Sequence, residues 1–261
     1  MTKQTRDLAP AVTRAIAVLD ALSVSPRPLA LGELAALLKL PKSSTHGLCG
    51  SLLAGRLIER QENGSYSLGL HIVDLANARL GQNDLAKEFL RFWSRHPEFS
   101  QEAAIMSERV GTDVVYLACR NSSRPLGVTF RVGMRLPAAV TATGKAILST
   151  LHEDEIDRLY GTKDAFGQLT RRSVKTLSVL KRQLADVRRK GYSVDNGETR
   201  EGMCSFGAPV LARAGNVAVA GVALSFFRAD LNDRRARQAV ASIKQLAREL
   251  SSKAASLSPG G

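Results

Sequence analysis

The sequence predicts an α+β chain: an N-terminal winged helix-turn-helix over residues 1–68, a linking helix over 69–85, and a C-terminal α/β domain over 86–261. Three observations carry this prediction. The first part holds three short stretches of helical apolar spacing, closed by an Asn-Gly turn between two short apolar runs. One further helical stripe follows. Beyond residue 86, paired strand-like runs alternate with amphipathic helices, the pattern of a sensor-like domain.

The elements follow in order. "AVTRAIAVLDALS" (11–23) places Val12, Ile16, Leu19 and Leu22 at helical spacing. The proline-bearing loop "VSPRPLA" separates it from "LGELAALLKL", a short helix with Leu34, Leu37 and Leu38 on one face. Pro41 restarts a helix at the first helical position, where its missing N–H has no intrahelical partner to lose. That helix runs through Leu48, Leu52 and Leu53 to Gly55. In "RLIERQENGSYSLG", Leu57 and Ile58 lead into the turn and "YSL" leads out, a two-stranded hairpin. Three helices and a hairpin in this order form a winged helix-turn-helix. "LGLHIVDLANARLGQND" (68–84) reads as the linking helix, with Leu70, Val73 and Leu80 on one stripe.

In the second part, "EAAIMSERVGTDVVYLACR" reads as a hairpin and "LGVTFRVG" as a strand. "TATGKAILSTL" starts a helix, and "SVKTLSVLKRQLADVRRKG" is a longer amphipathic one. "YSVDNGETREGMCSFGAPVLARAGNVAVAGVALSFF" reads as strand, loop, strand, turn, strand. "DRRARQAVASIKQLARELSSKAAS" closes as a helix, and the tail "SLSPGG" reads as disordered.

Composition bounds the partners. At 261 residues, 44% hydrophobic and 23% charged, the chain is of ordinary globular make-up and long enough for a sizeable core. Aromatics are only 5%, so Leu, Val, Ala and Ile must fill that core. The net charge of +13 points to an acidic partner, unless Lys and Arg merely solvate helix faces. Its distribution decides: residues 1–81 hold nine basic and six acidic residues, and the remainder holds 28 and 18. Most of the excess therefore lies outside the helix-turn-helix, in runs such as "KRQLADVRRK" and "DRRARQ". It serves long-range attraction to DNA rather than an operator footprint.

Cys49, Cys119 and Cys204 are odd in number and far apart, which suits a reducing cytosol and no disulfide framework. No apolar run approaches the roughly 18 residues of a membrane span. "MTKQTRDLAP" has no signal-peptide core. A soluble, cytoplasmic protein is expected.

In a helix-turn-helix, the second helix enters the major groove with its N-terminal residues toward the bases. "LPKSSTHGL" (40–48) puts short polar side chains there. Such side chains reach phosphates or base edges without holding the helix out of the groove. Lys42, Ser43, Ser44, Thr45 and His46 are the candidate contacts, with Asn63 and Gly64 at the wing. The alternative for Ser43 or Ser44 alone is a helix cap.

Other chemistries fail on spacing. "TGKA" has Ala139 and Ala146 where a phosphate-binding loop needs Gly and Ser or Thr. His46, His71, His96 and His152 show no metal-ligand spacing, so no metal or cofactor is expected. Cys204 has no histidine near it in sequence and no catalytic-cysteine signature, and reads as a buried strand residue.

The whole pattern resembles the IclR family of bacterial transcriptional regulators over roughly residues 10–250. The likeness lies in "AVTRAIAVLDALS", "LGELAALLKLPKSSTHGLCGSLLAGRLIER", "SYSLGLHIVDLA", "RVGMRLPAAVTATGKAILS", "GYSVDNGE" and "GMCSFGAPVL". The resemblance implies a GAF-like effector-binding domain, a homodimer or a dimer of dimers, near-palindromic operator DNA, and a small organic or aromatic acid as effector. It places the ligand pocket at Ala142, Thr143 and Gly144, with Asp195 and Glu198 in an acidic loop, Met203 and Ser205 on the next strand, and Ala223 and Ser225 on the one after.

The residues make sense of that pocket. Small side chains at a helix start let backbone N–H groups approach a carboxylate, and Arg131 and Arg135 flank the approach. Asp195 reads two ways, as acceptor for a ligand hydroxyl or as a turn residue of "DNGE". Two departures stand out. Relatives often carry an arginine where this chain has Gly47, with Gly50 a second weak helix former nearby. Cys204 and Ser205 compete for the place of a pocket cysteine.

The expectation is a ligand-responsive DNA-binding regulator, a repressor of a catabolic operon, and not an enzyme. The alternatives are a small-molecule enzyme in the second domain and a helix-turn-helix used for protein contacts.

Overall fold

The computed structural model describes residues 8–81, 84–125, 127–212 and 217–254; the "SLSPGG" tail lies outside them. The chain divides into two compact units, Met1–Gln82 and Asn83–Gly261. The linking helix thus groups with the first unit.

In the first unit, α1 (Pro10–Val24), α2 (Leu31–Leu38) and α3 (Lys42–Ala54) precede the hairpin β1 (Ile58–Arg60) and β2 (Tyr66–Leu68). Their shared core is Val18, Leu22, Leu29, Leu34, Cys49, Leu52, Ile58 and Tyr66. The inward stripe of α1 is shifted from the expected one: Val12 and Ile16 are 57% and 53% exposed, while Val18 and Leu22 are buried. Leu37 also faces outward. A single apolar spacing fits more than one helix face when alanines fill the gaps, and packing picks the face.

The turn between α2 and α3 uses Lys39 in the left-handed region, with φ 53° and no glycine. Leu40 N–H then donates to Ala35 O and closes α2. Pro41 sits at the N-cap of α3, one place before the first helical position expected for it, and Lys42 opens the helix. The hairpin pairs Ile58 with Leu68 and Arg60 with Tyr66, and Leu29 bridges Tyr66 from outside. The linking helix, α4 (His71–Gly81), begins three residues later than the expected 68, and residues 82–83 of the expected span lie outside the described residues.

The second unit is built on an antiparallel sheet of order β5-β4-β3-β8-β7-β6 among the described residues. Its strands are β3 (Ala103–Val110), β4 (Asp113–Arg120), β5 (Arg135–Pro137), β6 (Ser193–Asn196), β7 (Met203–Leu211) and β8 (Ala218–Phe227). Alternation divides the side chains between two faces. Ala104, Met106, Val222 and Leu224 meet α5 (Asp84–Ser94) and α9 (Asp233–Ala254), through Phe89, Phe92, Trp93, Ile243 and Leu246. Ile105 and Tyr116 face the layer of α6 (Ala142–Leu148), α7 (Glu153–Tyr160) and α8 (Leu177–Lys190).

Neither α5 nor α7 is expected from the sequence reading. "LGVTFRVG" is not a strand either: its described residues are irregular, and the strand forms beyond it at β5. No helix among the described residues is long and apolar enough to cross a membrane.

One packing feature positions the site. α6 lies flat on the sheet through glycines on both sides. A Cβ on Gly207 would sit 2.7 Å from Ala142 O, and one on Gly221 would sit 2.5 Å from Thr143 O. Only bare backbone permits that approach.

Candidate nucleic-acid interface and ligand cavity

The α3 helix has two faces. Thr45, Cys49 and Leu52 are buried, at spacings of four and three residues, and anchor it to the first unit. Lys42, Ser43, Ser44, His46, Gly47, Gly50 and Ser51 are exposed. Thr45 is therefore not a surface contact: it is fully buried, and its Oγ1 donates to Pro41 O at 3.1 Å. Its methyl fits the core, and the backbone bond satisfies its hydroxyl. Around both Gly47 and Gly50 an added Cβ would meet nothing within 4 Å. The exposed face is bare, and packing does not demand glycine at either position.

The wing is held by its own turn. Asn63 Oδ1 accepts from Ser65 N–H at 3.0 Å and from Ser65 Oγ at 2.6 Å, and Gly64 adopts φ 80°. Asn63 thus shapes the tip. Arg60 lies over the Tyr66 ring, 6.0 Å from its centroid, and its guanidinium reaches toward Gly64. Arg56, exposed with φ 56°, follows α3.

In the second unit a cavity of about 240 Å³ opens between α6, the sheet and the irregular 127–134 segment. Its walls are mostly apolar: Ile105, Tyr116, Val128, Phe130, Met134, Leu136, Ala142, Met203 and Ala223. Its polar groups form a row. Asp195 pairs with Ser205 across β6 and β7, and Ser205 pairs with Ser225 across β7 and β8. All three line the cavity, and the two serine hydroxyls are 2.9 Å apart. Neighbouring strands lie roughly 4.8 Å apart, so the row spans about two strand spacings. Thr143 also lines the cavity, and its buried hydroxyl has no hydrogen-bond partner. Arg200 adds an exposed guanidinium to the wall.

Asp195 is 3% exposed. Burial pushes its carboxyl up; the bonds from Thr199 and Glu198 and the charge of Lys145 pull it back without cancelling the rise. Its Oδ1 accepts the N–H groups of Glu198 at 2.7 Å and Thr199 at 3.2 Å. Asp195 therefore occupies both positions read from the sequence: it organises a turn and faces the cavity. Tyr116 is buried, and desolvation pushes its phenol up.

Residues 77–252 match the family described as the bacterial transcriptional regulator IclR C-terminal domain, and residues 11–62 match the IclR helix-turn-helix domain. The chain belongs to the IclR family. The HTH-type transcriptional regulator XynR of Escherichia coli (strain K12) is 28% identical over 226 residues, which is 85% of this chain and 88% of XynR. Among solved structures, the Agobacterium tumefaciens repressor BlcR is 36% identical, covers 95% of this chain and 97% of its own, and gives a TM-score of 0.59. An IclR homolog from Microbacterium hydrocarbonoxydans, complexed with 4-hydroxybenzoate, gives a TM-score of 0.79 at 17% identity, over 94% of this chain and 98% of its own, a likeness of fold. This IclR-family chain is a DNA-binding transcriptional regulator and not an enzyme.

Of the ligand positions implied by the IclR resemblance, the fold brings Ala142, Thr143, Asp195, Met203, Ser205, Ala223 and Ser225 to one cavity. Gly144 and Glu198 are elsewhere. A Cβ on Gly144 would fall 2.2 Å from Ala138 O, so this glycine serves helix packing. Its N–H is already bonded to Thr141 Oγ1 at 3.0 Å and is not offered to a ligand. Glu198 turns away to an ion pair with Lys145.

Arg131 and Arg135 do not line the cavity, and Arg135 faces Asp113 at 3.6 Å. Sequence reasoning missed Arg200, Thr199, Tyr116, Phe130 and Met134, which come from three separate segments with no spacing signal to join them. It also passed over Arg56 and Arg60, although "GRLIER" set two arginines at the wing's entrance.

Proposed function

We propose that a small hydroxylated organic or aromatic acid binds this cavity and alters operator binding by the winged helix-turn-helix. The observation that carries the reading is the polar row of Asp195, Ser205 and Ser225 in an otherwise apolar cavity of about 240 Å³. A carboxylate and two hydroxyls suit a ligand hydroxyl, and the apolar walls suit a ring or short carbon chain. The unpartnered Thr143 hydroxyl offers a further bond, and Arg200 stands where it attracts the acid's charge. The 4-hydroxybenzoate held by the Microbacterium homolog has this chemistry and is a first member of the test panel.

The exposed α3 face carrying Lys42, Ser43, Ser44 and His46 docks in the major groove, and the wing around Asn63 and Gly64, with Arg60, meets the adjoining backbone. The protein acts in the cytoplasm as a homodimer, or a dimer of dimers, on two half-sites. Apolar side chains left exposed on α1 (Val12, Ile16) and α4 (Val73, Leu75) support pairing of the first units. We infer repression of a catabolic operon, in keeping with the repressor BlcR. Control requires that the acid bind the DNA-competent and DNA-incompetent states with different affinity.

The test is a gel shift on DNA upstream of the protein's own gene, with competitor DNA and a panel of hydroxylated and plain carboxylic acids. A specific shift released by a hydroxylated acid supports the reading. A specific shift indifferent to every acid removes the ligand class and leaves the DNA-binding role.

A further inference from the structure

This inference rests on the cavity being the effector site. Two of its walls meet behind the polar row: α6, with Thr141, Ala142 and Thr143, and the 195–200 loop, with Asp195, Thr199 and Arg200. An ion pair joins these walls from the far side. Lys145 Nζ donates to Glu198 Oε1 at 2.5 Å, and the side chains are 2% and 7% exposed. Neither residue lines the cavity. Lys145 is the one lysine or arginine buried among the described residues.

The loop is stitched from several sides. Thr170 Oγ1 donates to Gly197 O and Ser173 Oγ to Glu198 O, both at 2.7 Å. Glu198 N–H donates to Asp195 Oδ1. One buried ammonium therefore stands behind two buried carboxyls that share a single turn. A buried ion pair is a weak source of stability, because desolvation offsets the Coulomb attraction. Its position behind the cavity points to a different role.

We propose that Lys145 is a positioning residue for the cavity: it anchors Glu198 and so holds the 195–200 loop, with Asp195 as an acceptor for the ligand, against α6. Burial opposes ionisation of both carboxyls, and Lys145 is the cation that favours it at each. The other groups facing Asp195 do not supply that charge. Glu198 is acidic, Tyr116 on β4 and Cys204 on β7 are held neutral by burial, and Arg200 is exposed to solvent screening.

The test uses full-length protein with carbon-13 label in the aspartate carboxyls, Asp195→Asn identifying the resonance. Asp195 is titrated in the wild type, Lys145→Arg and Lys145→Met, and hydrogen exchange is followed at the Glu198 and Thr199 amides. Lys145→Met is expected to raise the Asp195 midpoint by about one pH unit or more and to speed exchange of both amides about tenfold. Lys145→Arg is expected to keep the midpoint near the wild-type value. Where Lys145→Met does not fold because Glu198 is left unpaired, Lys145→Met with Glu198→Gln is expected to show faster exchange of both amides and an Asp195 midpoint above that of Glu198→Gln alone, since removing Glu198 by itself takes away a like charge.

Exchange at the Glu198 and Thr199 amides unchanged in the variant that folds would overturn the proposal and leave the pair a structural one. No readout here uses a ligand. A wild type that ignores every acid but shows the shift would lose the effector reading and keep the role of Lys145.

Discussion

Replacing Gly47 and Gly50 by alanine tests what the bare face of α3 is for. Both glycines lie inside a 13-residue helix, Lys42–Ala54. Each costs about 1 kcal/mol against alanine in a helix interior. An added methyl would meet nothing within 4 Å at either position, so no clash offsets the gain. Neither glycine has a positive φ, so alanine fits the backbone it would inherit. Gly47→Ala with Gly50→Ala should therefore stabilise the first unit by about 2 kcal/mol.

Native-state hydrogen exchange of α3 amides in the full-length protein reads this directly. At 1.4 kcal/mol per tenfold, each substitution should slow exchange by roughly fivefold, and the pair by about 25-fold. Operator affinity, measured alongside, says why evolution left the positions bare. A fall in affinity in the more stable protein means that the helix backbone itself approaches DNA there. Faster exchange in the double variant would refute the reasoning, because it would mean that the outer face packs against something that the fold of the unit leaves open.

Three further outcomes follow from the geometry. Ser44→Ala should lower operator affinity without changing stability, whereas Thr45→Val, at a buried position, should leave affinity near wild type; band-shift titrations and melting curves separate the two, and an operator defect in Thr45→Val that is not matched by lost stability would contradict the burial of that side chain. Asp195→Asn should abolish the response to a hydroxylated acid while raising the melting temperature of the ligand-free protein at neutral pH. The native carboxyl sits above its ordinary range, so the folded chain holds that proton more tightly than the unfolded chain; the carboxylate costs stability above its folded midpoint, and the advantage of asparagine should shrink as the pH is lowered. Gly207→Ala should lift α6 from the sheet, costing about 1–3 kcal/mol as an overpacked contact and reducing the acid response, measured by calorimetry; a neutral effect would mean that the 2.7 Å approach to Ala142 O is not binding on the fold.

Much of this architecture was legible along the chain. Local signals named the hairpins: the Asn-Gly turn set β1 against β2, and Gly111 joined β3 to β4. Amphipathic spacing named α8 and α9 because their polar faces are long and charged. The resemblance to IclR proteins rested on motifs held in order, and it pointed to seven of the residues that line the cavity, among them the whole polar row. The failures share a cause. α5 carries Phe89, Phe92 and Trp93 into the core under an otherwise polar surface, and a short stretch of mixed character gives periodicity too little length to work with. Thr45 looked like its hydroxyl neighbours Ser43 and Ser44 because composition does not say which way a helix is turned.

Turn chemistry and apolar period act between near neighbours, so the order of elements, the winged helix-turn-helix and the membership of a regulator family can be read along the chain. Which side chains meet is settled by the folded chain. It turned Thr45 inward, took Gly144 for packing and Glu198 for an ion pair, and brought Tyr116 from β4 and Arg200 from the loop after β6 to one cavity. Some of those assignments depend on contacts between distant parts of the chain, such as the 53 residues that separate Lys145 from Glu198, and the rest on which face packing buries; local pattern carries no record of distance in space.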